Sequence, residues 1–594
     1  MSTTNERTHQ FTHSNTQRRA SVVYGSVGKG GLFIPQDFLH RQSLYAEEDE
    51  GNTGESQTLL GVSADSSYGE HLPVPGLGHA ERRRSTVQHE LIEEERQLLK
   101  DAAGKVFDSS TSDDVVAEAF EEAIKTKTIH DSTTAKRELT QLIKSSIPLV
   151  MTFLLQNSLS TVSVFTVGHL GATELAAVSM GAMTANITGY ATIQGIATAL
   201  DTLCPQAFGA KKYNLVGIYL QKCSALIFSI MIPVLFTWAF FAYELICLIV
   251  PDKETAKLLA VYLNVLTLGM PGYIFFECGK RFLQAQGIYH ISTYVLLFAA
   301  PANLVMNVVL VKHWGYLGAP LAVSINYWLM AVGLLLATKY AIKAEDTPAG
   351  FHPMRCWGGL NVKEAFSGWG KLAGLAVPGL IMLEAEFLAF EILTLMASYL
   401  GTTALAAQSI GTTMASLTYQ VPFAIGIASS TRIANYLGAE LPYSAKKCTR
   451  VSLSFGLVIS FVNFFALYIF QYQIARLFTD DEGVIRTVTS VMWLVAFMQV
   501  SDAMNANSAG CLRGQGQTKI GGIVNLLSYY IVGLPLSIYL SFYSPWKGSL
   551  HGLWIGSTVA LTIIGSVQSY VAIFSDFDEL VEDAKKRTSI EVTA

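Results

Sequence analysis

The feature that most constrains this chain is a series of apolar stretches, each about 20 residues long, recurring from residue 146 to residue 574. A helix needs about 20 mainly apolar residues to cross the hydrocarbon core of a bilayer. The stretches fall at roughly 146–166, 178–200, 216–243, 256–277, 289–311, 317–339, 371–396, 404–429, 449–473, 485–508, 520–542 and 551–574, which makes twelve. Gly, Pro or charged clusters separate them. Several contain a proline (Pro148, Pro271, Pro301, Pro378, Pro422, Pro535), which membrane helices tolerate because neighbouring groups satisfy the freed carbonyls. Composition agrees once it is split. Residues 1–144 are roughly 27% charged and the remainder roughly 11%, around a chain average of 15%, against about 25% in soluble domains. A soluble globular protein, a nucleic-acid binder and a fibrous protein are therefore excluded. The expected fold class is an all-α integral membrane protein.

Residues 1–135 are rich in Ser, Thr, Gly, Glu and Arg without a sustained apolar period. Such a composition does not repay its ordering entropy, so a disordered cytosolic tail is expected, with one helix near 86–105. The first 30 residues lack the apolar core of a secretory signal. Arg18-Arg19-Ala20-Ser21 and Arg82-Arg83-Arg84-Ser85 suit basophilic kinases. Glu55 before Leu59-Leu60, and Glu94 before Leu98-Leu99, match acidic dileucine patterns that a sorting adaptor reads. If either is read, the destination is a vacuolar, lysosome-like membrane. If neither is, it is the plasma membrane. Patterns this short also arise by chance in acidic tails.

Lys and Arg set topology, since cytoplasmic loops hold them in excess. With the N-terminus inside, the inner segments carry 22 such residues and the outer loops six. Both termini are then cytosolic. The chain also repeats. Residues 168–182 align without gaps on 398–412 with eight of fifteen identical, at an offset of 230. Pro148 and Pro378 share that offset, while Gln206 to Ala210 and Leu283 to Gly287 recur 229 residues on. An even number of spans per half makes the halves parallel repeats, related by an axis along the membrane normal. The expected organisation is a six-helix lobe over 145–340, a cytosolic connector over 341–370, a second six-helix lobe over 371–575 and a cytosolic tail over 576–594.

Residues 167–213, VGHLGATELAAVSMGAMTANITGYATIQGIATALDTLCPQAFGAKKY, resemble the first helices of multidrug and toxic compound extrusion (MATE) transporters, nearest the eukaryotic, fungal-like branch. LAAQSI at 405–410, VPFAIGIASSTRIANYLGA at 421–439 and CLRGQGQTKIGGIVN at 511–525 agree. The resemblance covers about 145–575 and excludes the head. It implies a MATE-type fold of two lobes in a V, exporting organic solutes against H⁺ or Na⁺.

A coupled exporter needs ionisable groups inside the membrane, where each acid costs several kcal/mol and so requires an explanation. Glu384, Glu386 and Glu391 cluster in the seventh stretch and Asp502 lies in the tenth. At 100° per residue Glu384 and Glu391 share a face, with Glu386 about 140° round from Glu391. At least two of the three should therefore face a water-filled cavity, which suits groups that gain and lose a proton in transport. The resemblance sharpens this. Glu386-Phe-Leu-Ala-Phe390-Glu391 fits the family's E-x-x-x-[FY]-E, and Asp502 stands where relatives carry an acid before Leu-Arg-Gly. By resemblance Glu386, Glu391 and Asp502 form the cation-coupling and substrate site. A further Glu of some animal members is replaced here by Gly411, Thr412 and Thr413, which argues against dicationic substrates.

In the first half, the stretch where prokaryotic members carry an Asp has Gln156 and Asn157 but no acid, so coupling through that lobe is not expected. Glu384, Gln156, Asn157, Asn186, Thr413 and Tyr419 are candidate cavity-lining residues. Asp201 reads as a helix-end contact. Glu277 with Lys280 and Arg281 reads as the inner end of the fourth span, and no Lys or Arg is expected inside any span. The seven cysteines show no metal spacing, so no metal site is expected. No phosphate-cradling loop is present, which leaves an ion gradient as the energy source, with H⁺ favoured over Na⁺ and no cofactor. The leading reading is a monomeric, non-enzymatic antiporter of organic cations. A carrier of organic anions such as citrate, a lipid-linked carrier and a receptor or scaffold are the alternatives. A Lys or Arg in the cavity would favour the anion carrier.

Overall fold

A computed structural model describes residues 133–589, apart from 168–169, 249–251, 345–346, 479–481 and 545–547, together with Arg96, Val116 and Ala119. The sorting pairs at Leu59-Leu60 and Leu98-Leu99, the kinase patterns and, apart from Arg96, the expected helix at 86–105 lie outside the described residues. The body, residues 135–347 and 351–594, forms one compact unit.

Twelve long helical runs fill the described body, one for each apolar stretch. They are α1 (Ala135–Val167), α2 (Ala172–Ala185, continuing through a π-turn at Asn186–Tyr190 and Ala191–Ala197 into Leu200–Gly209), α3 (Tyr213–Phe240) and α4 (Lys253–Leu266 and Met270–Ala285, bent by 53°). Then come α5 (His290–Trp314) and α6 (Gly318–Leu336). The second lobe holds α7 (Gly370–Ser398), α8 (Thr402–Gly438), α9 (Pro442–Ile469), α10 (Glu482–Gln515), α11 (Thr518–Leu527, carried on by further turns to Tyr543) and α12 (His551–Phe574). A short α13 (Phe577–Thr588) follows, capped by the Asp576 carboxylate and burying Phe577, Leu580, Val581 and Ala584.

Seven stretches of the described chain are long and apolar enough to cross a membrane, and one of them, His290–Ala341, holds two helices. The bent α4 makes eight. The three helices left over, α2, α7 and α8, meet along the interior, where α7 packs on the Ala191–Ala197 part of α2 and α8 on its Leu200–Gly209 part. Outward faces expose large apolar side chains such as Ile232, Phe298, Val462 and Ile531, the surface that lipid covers. The protein is an all-α, multi-pass membrane protein of two six-helix lobes.

The repeat is visible in the contacts. A Cβ on Gly209 would meet the Asn435 carbonyl, and one on Gly438 would meet that of Gln206. Gly209 matches Gly438, and Gln206 matches Asn435, at the same offset of 229. Reciprocal contacts of this kind are what a two-fold axis between equivalent surfaces produces. The seam extends to Leu142 and Leu149 on α1 packed against Ala424, Ile427 and Ala428 on α8.

Several helices run past the apolar stretches. α1 begins at Ala135 and not near 146, α4 reaches Ala285, α8 reaches Gly438 and α10 reaches Gln515. Lys280, Arg281, Arg432 and Arg513, expected in inner segments, are therefore helical and buried. Hydropathy stops a span at its first charge, whereas here Glu138 of α1 receives Arg432, Asp201 of α2 receives Arg281, and Glu277 of the same helix receives Lys280.

Candidate functional site

The acids of α7 point different ways, as a helix pitch of 100° per residue requires. Glu384 is half-buried and accepts a hydrogen bond from the Thr192 hydroxyl of α2 at 3.3 Å. Glu386, two residues on, turns into the second lobe and accepts from the Asn505 amide of α10 at 3.2 Å. Glu391 is half-buried and makes no polar contact among the described residues. Asp502 is buried one turn before Asn505, and its Oδ1 lacks a hydrogen-bond partner. Tyr419 on α8 stacks on Phe423 at 5.5 Å and lies within electrostatic reach of Glu386, Asp502 and Arg513.

A cavity of about 20 Å³ is lined among others by Glu386, Tyr419, Asn505, Arg513, Asn525 and, from the other lobe, Thr198, but not by Glu384, Glu391 or Asp502, so one of the three acids of α7 faces it where at least two were expected. That is room for one water-sized group. The cavity therefore fits a coupling ion, its water or a proton in this conformation, and an organic solute requires the lobes to part. Arg513 is buried, its guanidinium 5.7 Å from the Phe423 ring, and its Nε and Nη2 have no hydrogen-bond partner. A buried donor left unpaired is costly, so these atoms are poised for a ligand or water in the cavity. The expectation that no Lys or Arg lies inside a span is thus corrected.

Of the other candidate lining residues, Asn157, Asn186 and Thr413 are exposed and stand away from this cavity. Thr413 returns its hydroxyl to the Ser409 carbonyl at 2.7 Å. Gln156 belongs to a different network that sequence reasoning missed. Its Nε2 donates to Glu277 Oε1 at 2.7 Å and to the Tyr273 hydroxyl at 3.3 Å, while its Oε1 accepts from Lys280 at 3.2 Å. Glu277 also accepts from Lys280 at 2.8 Å and Arg281 at 2.5 Å, and Arg281 reaches Asp201 at 3.2 Å. All four charges are buried. Glu277, Lys280 and Arg281 are therefore the polar interior of the first lobe, and Asp201 is an ion-paired member of it. The signal was in the repeat. Gln156 matches Glu386 at offset 230, and Tyr273 matches Asp502 at offset 229.

A bundle of two six-helix repeats, lipid-facing outside and holding a charged cavity where the lobes meet, is the architecture of a membrane transporter and not of an enzyme. The MatE family model matches residues 148–309 and again 378–539, the two copies lying 230 residues apart. The chain therefore belongs to the MATE family of transporters. It is 44% identical over 460 residues to an uncharacterized transporter of Saccharomyces cerevisiae, covering 77% of this chain and 64% of that one. It is 33% identical to protein DETOXIFICATION 16 of Arabidopsis thaliana, covering 78% of this chain and 92% of the relative. Multidrug and toxin extrusion protein 2 of Mus musculus is 31% identical, with 77% and 78% covered. Among solved structures, the eukaryotic MATE transporter AtDTX14 superposes with a TM-score of 0.70 at 26% identity, covering 77% of this chain and all of that one.

Proposed function

We propose that this protein is a secondary antiporter that moves organic solutes out of the cytosol in exchange for protons, with Glu386, Glu391 and Asp502 as the coupling acids. The observation that carries this reading is Glu386 facing a water-sized cavity at the lobe seam beside a buried Asp502 whose Oδ1 is unpartnered. A ligand shifts a two-state equilibrium only by binding the two states unequally. A carboxylate shared between proton and solute supplies that inequality, because each displaces the other. Parting of the lobes at Thr198 would open the chamber and admit the larger solute. Relatives named for detoxification and toxin extrusion support the export of xenobiotics.

The test is exchange in reconstituted vesicles under an imposed pH gradient. Glu386→Gln and Glu391→Gln should abolish ΔpH-driven export of an organic cation while leaving the protein monodisperse. Undiminished exchange in both sinks the proton reading, and exchange that follows a Na⁺ gradient replaces it with sodium coupling.

Arg513 favours a second reading. A guanidinium with free donors in the same chamber suits an organic anion such as a carboxylate. Export of carboxylates in preference to organic cations, lost in Arg513→Gln, would select it. The destination we propose is a vacuolar membrane reached through an adaptor reading Leu59-Leu60 or Leu98-Leu99, with both termini cytosolic and the transporter a monomer. A tagged chain with these leucines replaced should move to the plasma membrane, and an unchanged location refutes the sorting role.

A further inference from the structure

The first lobe contains the counterpart of the Glu386 cavity, and the chain itself has filled it. At the repeat offsets of 229 and 230, Gln156 corresponds to Glu386, Tyr273 to Asp502, Glu277 to Ala506 and Lys280 to Ala509. In the second lobe, Ala506 and Ala509 are both walls of the open chamber. In the first lobe their places are taken by an acid and a base. Lys280 runs into the space that the alanines leave empty. Its ammonium is held by Glu277 Oε1 at 2.8 Å and Gln156 Oε1 at 3.2 Å, and lies 5.3 Å from the Phe153 ring and 5.6 Å from that of Phe276. Lys280 is 2% exposed.

Two acceptors and two aromatic faces are the chemistry that recognises a primary ammonium. We propose that the first lobe carries a second cation site, built from Gln156, Glu277, Phe153 and Phe276, whose permanent occupant is the Lys280 ammonium. Because that cation is covalently tethered, it cannot leave during a transport cycle. The first lobe is therefore neutralised internally, and exchange of cations is confined to the second. Arg281 and Asp201 complete the balance: Arg281 bridges Asp201 at 3.2 Å and Glu277 Oε2 at 2.5 Å, while Lys280 holds Glu277 Oε1, so two cations face two acids.

The inference concerns binding in the first lobe and is independent of what the second lobe couples to. Its test is therefore a stability measurement and not transport. In the purified full chain, Lys280→Ala should lower the Tm by several degrees, because it removes one of the two cations that balance Glu277 and Asp201, leaves Glu277 Oε1 without its ammonium and opens a cavity. n-Propylammonium, which replaces the lost end of the side chain, should restore roughly half or more of that loss at millimolar concentration, as a ligand specific to the folded state does. Tetramethylammonium at the same ionic strength has no N–H donors and should restore none. Neither ion should shift the wild type, and Glu277→Gln with Lys280→Ala should abolish the n-propylammonium response. Equal responses to both ions, no response, or a response that survives loss of Glu277 overturns the proposal. Should Lys280→Ala aggregate, recovery of monodisperse protein with n-propylammonium alone reads the same site, and aggregation with both ions overturns it.

Discussion

Arg432 and Glu138 illustrate what single residues contribute to this molecule. Arg432 on α8 donates from Nε at 2.9 Å and from Nη2 at 2.7 Å to the two oxygens of Glu138 on α1, and the Tyr436 hydroxyl adds a third bond at 2.6 Å. The pair is fully buried and joins the two lobes. Removing one partner of a buried pair strands the other charge, at a cost of roughly 3–5 kcal/mol, whereas replacing both with apolar groups is often close to neutral. Glu138→Gln should therefore destabilise the purified protein more than Glu138→Leu with Arg432→Met. A double variant that unfolds at a lower temperature than the single one contradicts this. The same reasoning separates the acids of α7. Their presence inside a span marked them as residues to explain, and helix geometry put Glu386 on a different face from Glu384 and Glu391. Which of them met Asn505 and which met Thr192 was not legible, because those partners lie more than a hundred positions away in sequence.

At the scale of elements, four helix ends share one construction. After α2 and α8 the backbone turns left-handed at Lys211 (φ 60°) and Glu440 (φ 64°), and after α4 and α10 it does so at Gly287 (φ 76°) and Gly516 (φ 75°). At each, the next residue's N–H bonds a carbonyl five residues back, as Lys212 does with Ala207 and Leu441 with Tyr436. This is the closure that helix ends commonly use, and glycine suits its left-handed position. Lys211 and Glu440 hold equivalent positions in the two repeats, so both copies accept a side chain where glycine is easier. Gly287→Ala should lower stability by roughly 1 kcal/mol, while Lys211→Gly should not lower it. Thermal unfolding of the purified variants checks both, and a large loss in Lys211→Gly would show that its side chain matters more than its backbone. Element existence was readable throughout, because twelve apolar stretches became twelve helical runs. Their ends were less so. The sequence offered no sign that Lys136 to Lys144 continue α1, or that α4 carries charges through its buried face.

For the whole molecule, the decisive contact is the pseudo-symmetric crossing of α2 and α8, where Gly209 sits on Asn435 and Gly438 on Gln206. A side chain at either glycine meets backbone that has no room to yield, and overpacking of this kind costs about 1–3 kcal/mol. Gly209→Val and Gly438→Val should destabilise by similar amounts, and the double variant by less than their sum, because either one already opens the shared seam. Strict additivity would argue that the two contacts open separately. The crossing also explains why the chamber behind Glu386 is small, since Thr198 closes one wall from the opposite lobe.

Hydropathy and internal repetition are properties of the chain itself. They determined, without coordinates, that this protein spans a bilayer twelve times in two related halves and that its few acids in the seventh and tenth stretches need a reason to be there. The bilayer enforces that reading, because every span must satisfy its own backbone in an apolar solvent. What the tertiary structure decided is which charges meet. Lys280 beside Glu277, Arg281 beside Asp201, Arg432 beside Glu138 and Arg513 in the chamber with Glu386 are groups that hydropathy places at span ends or in loops. They are stable within helices because buried partners neutralise or receive them, and apart from Glu277, which shares α4 with Lys280 and Arg281, those partners come from other helices and meet them only after the chain has folded.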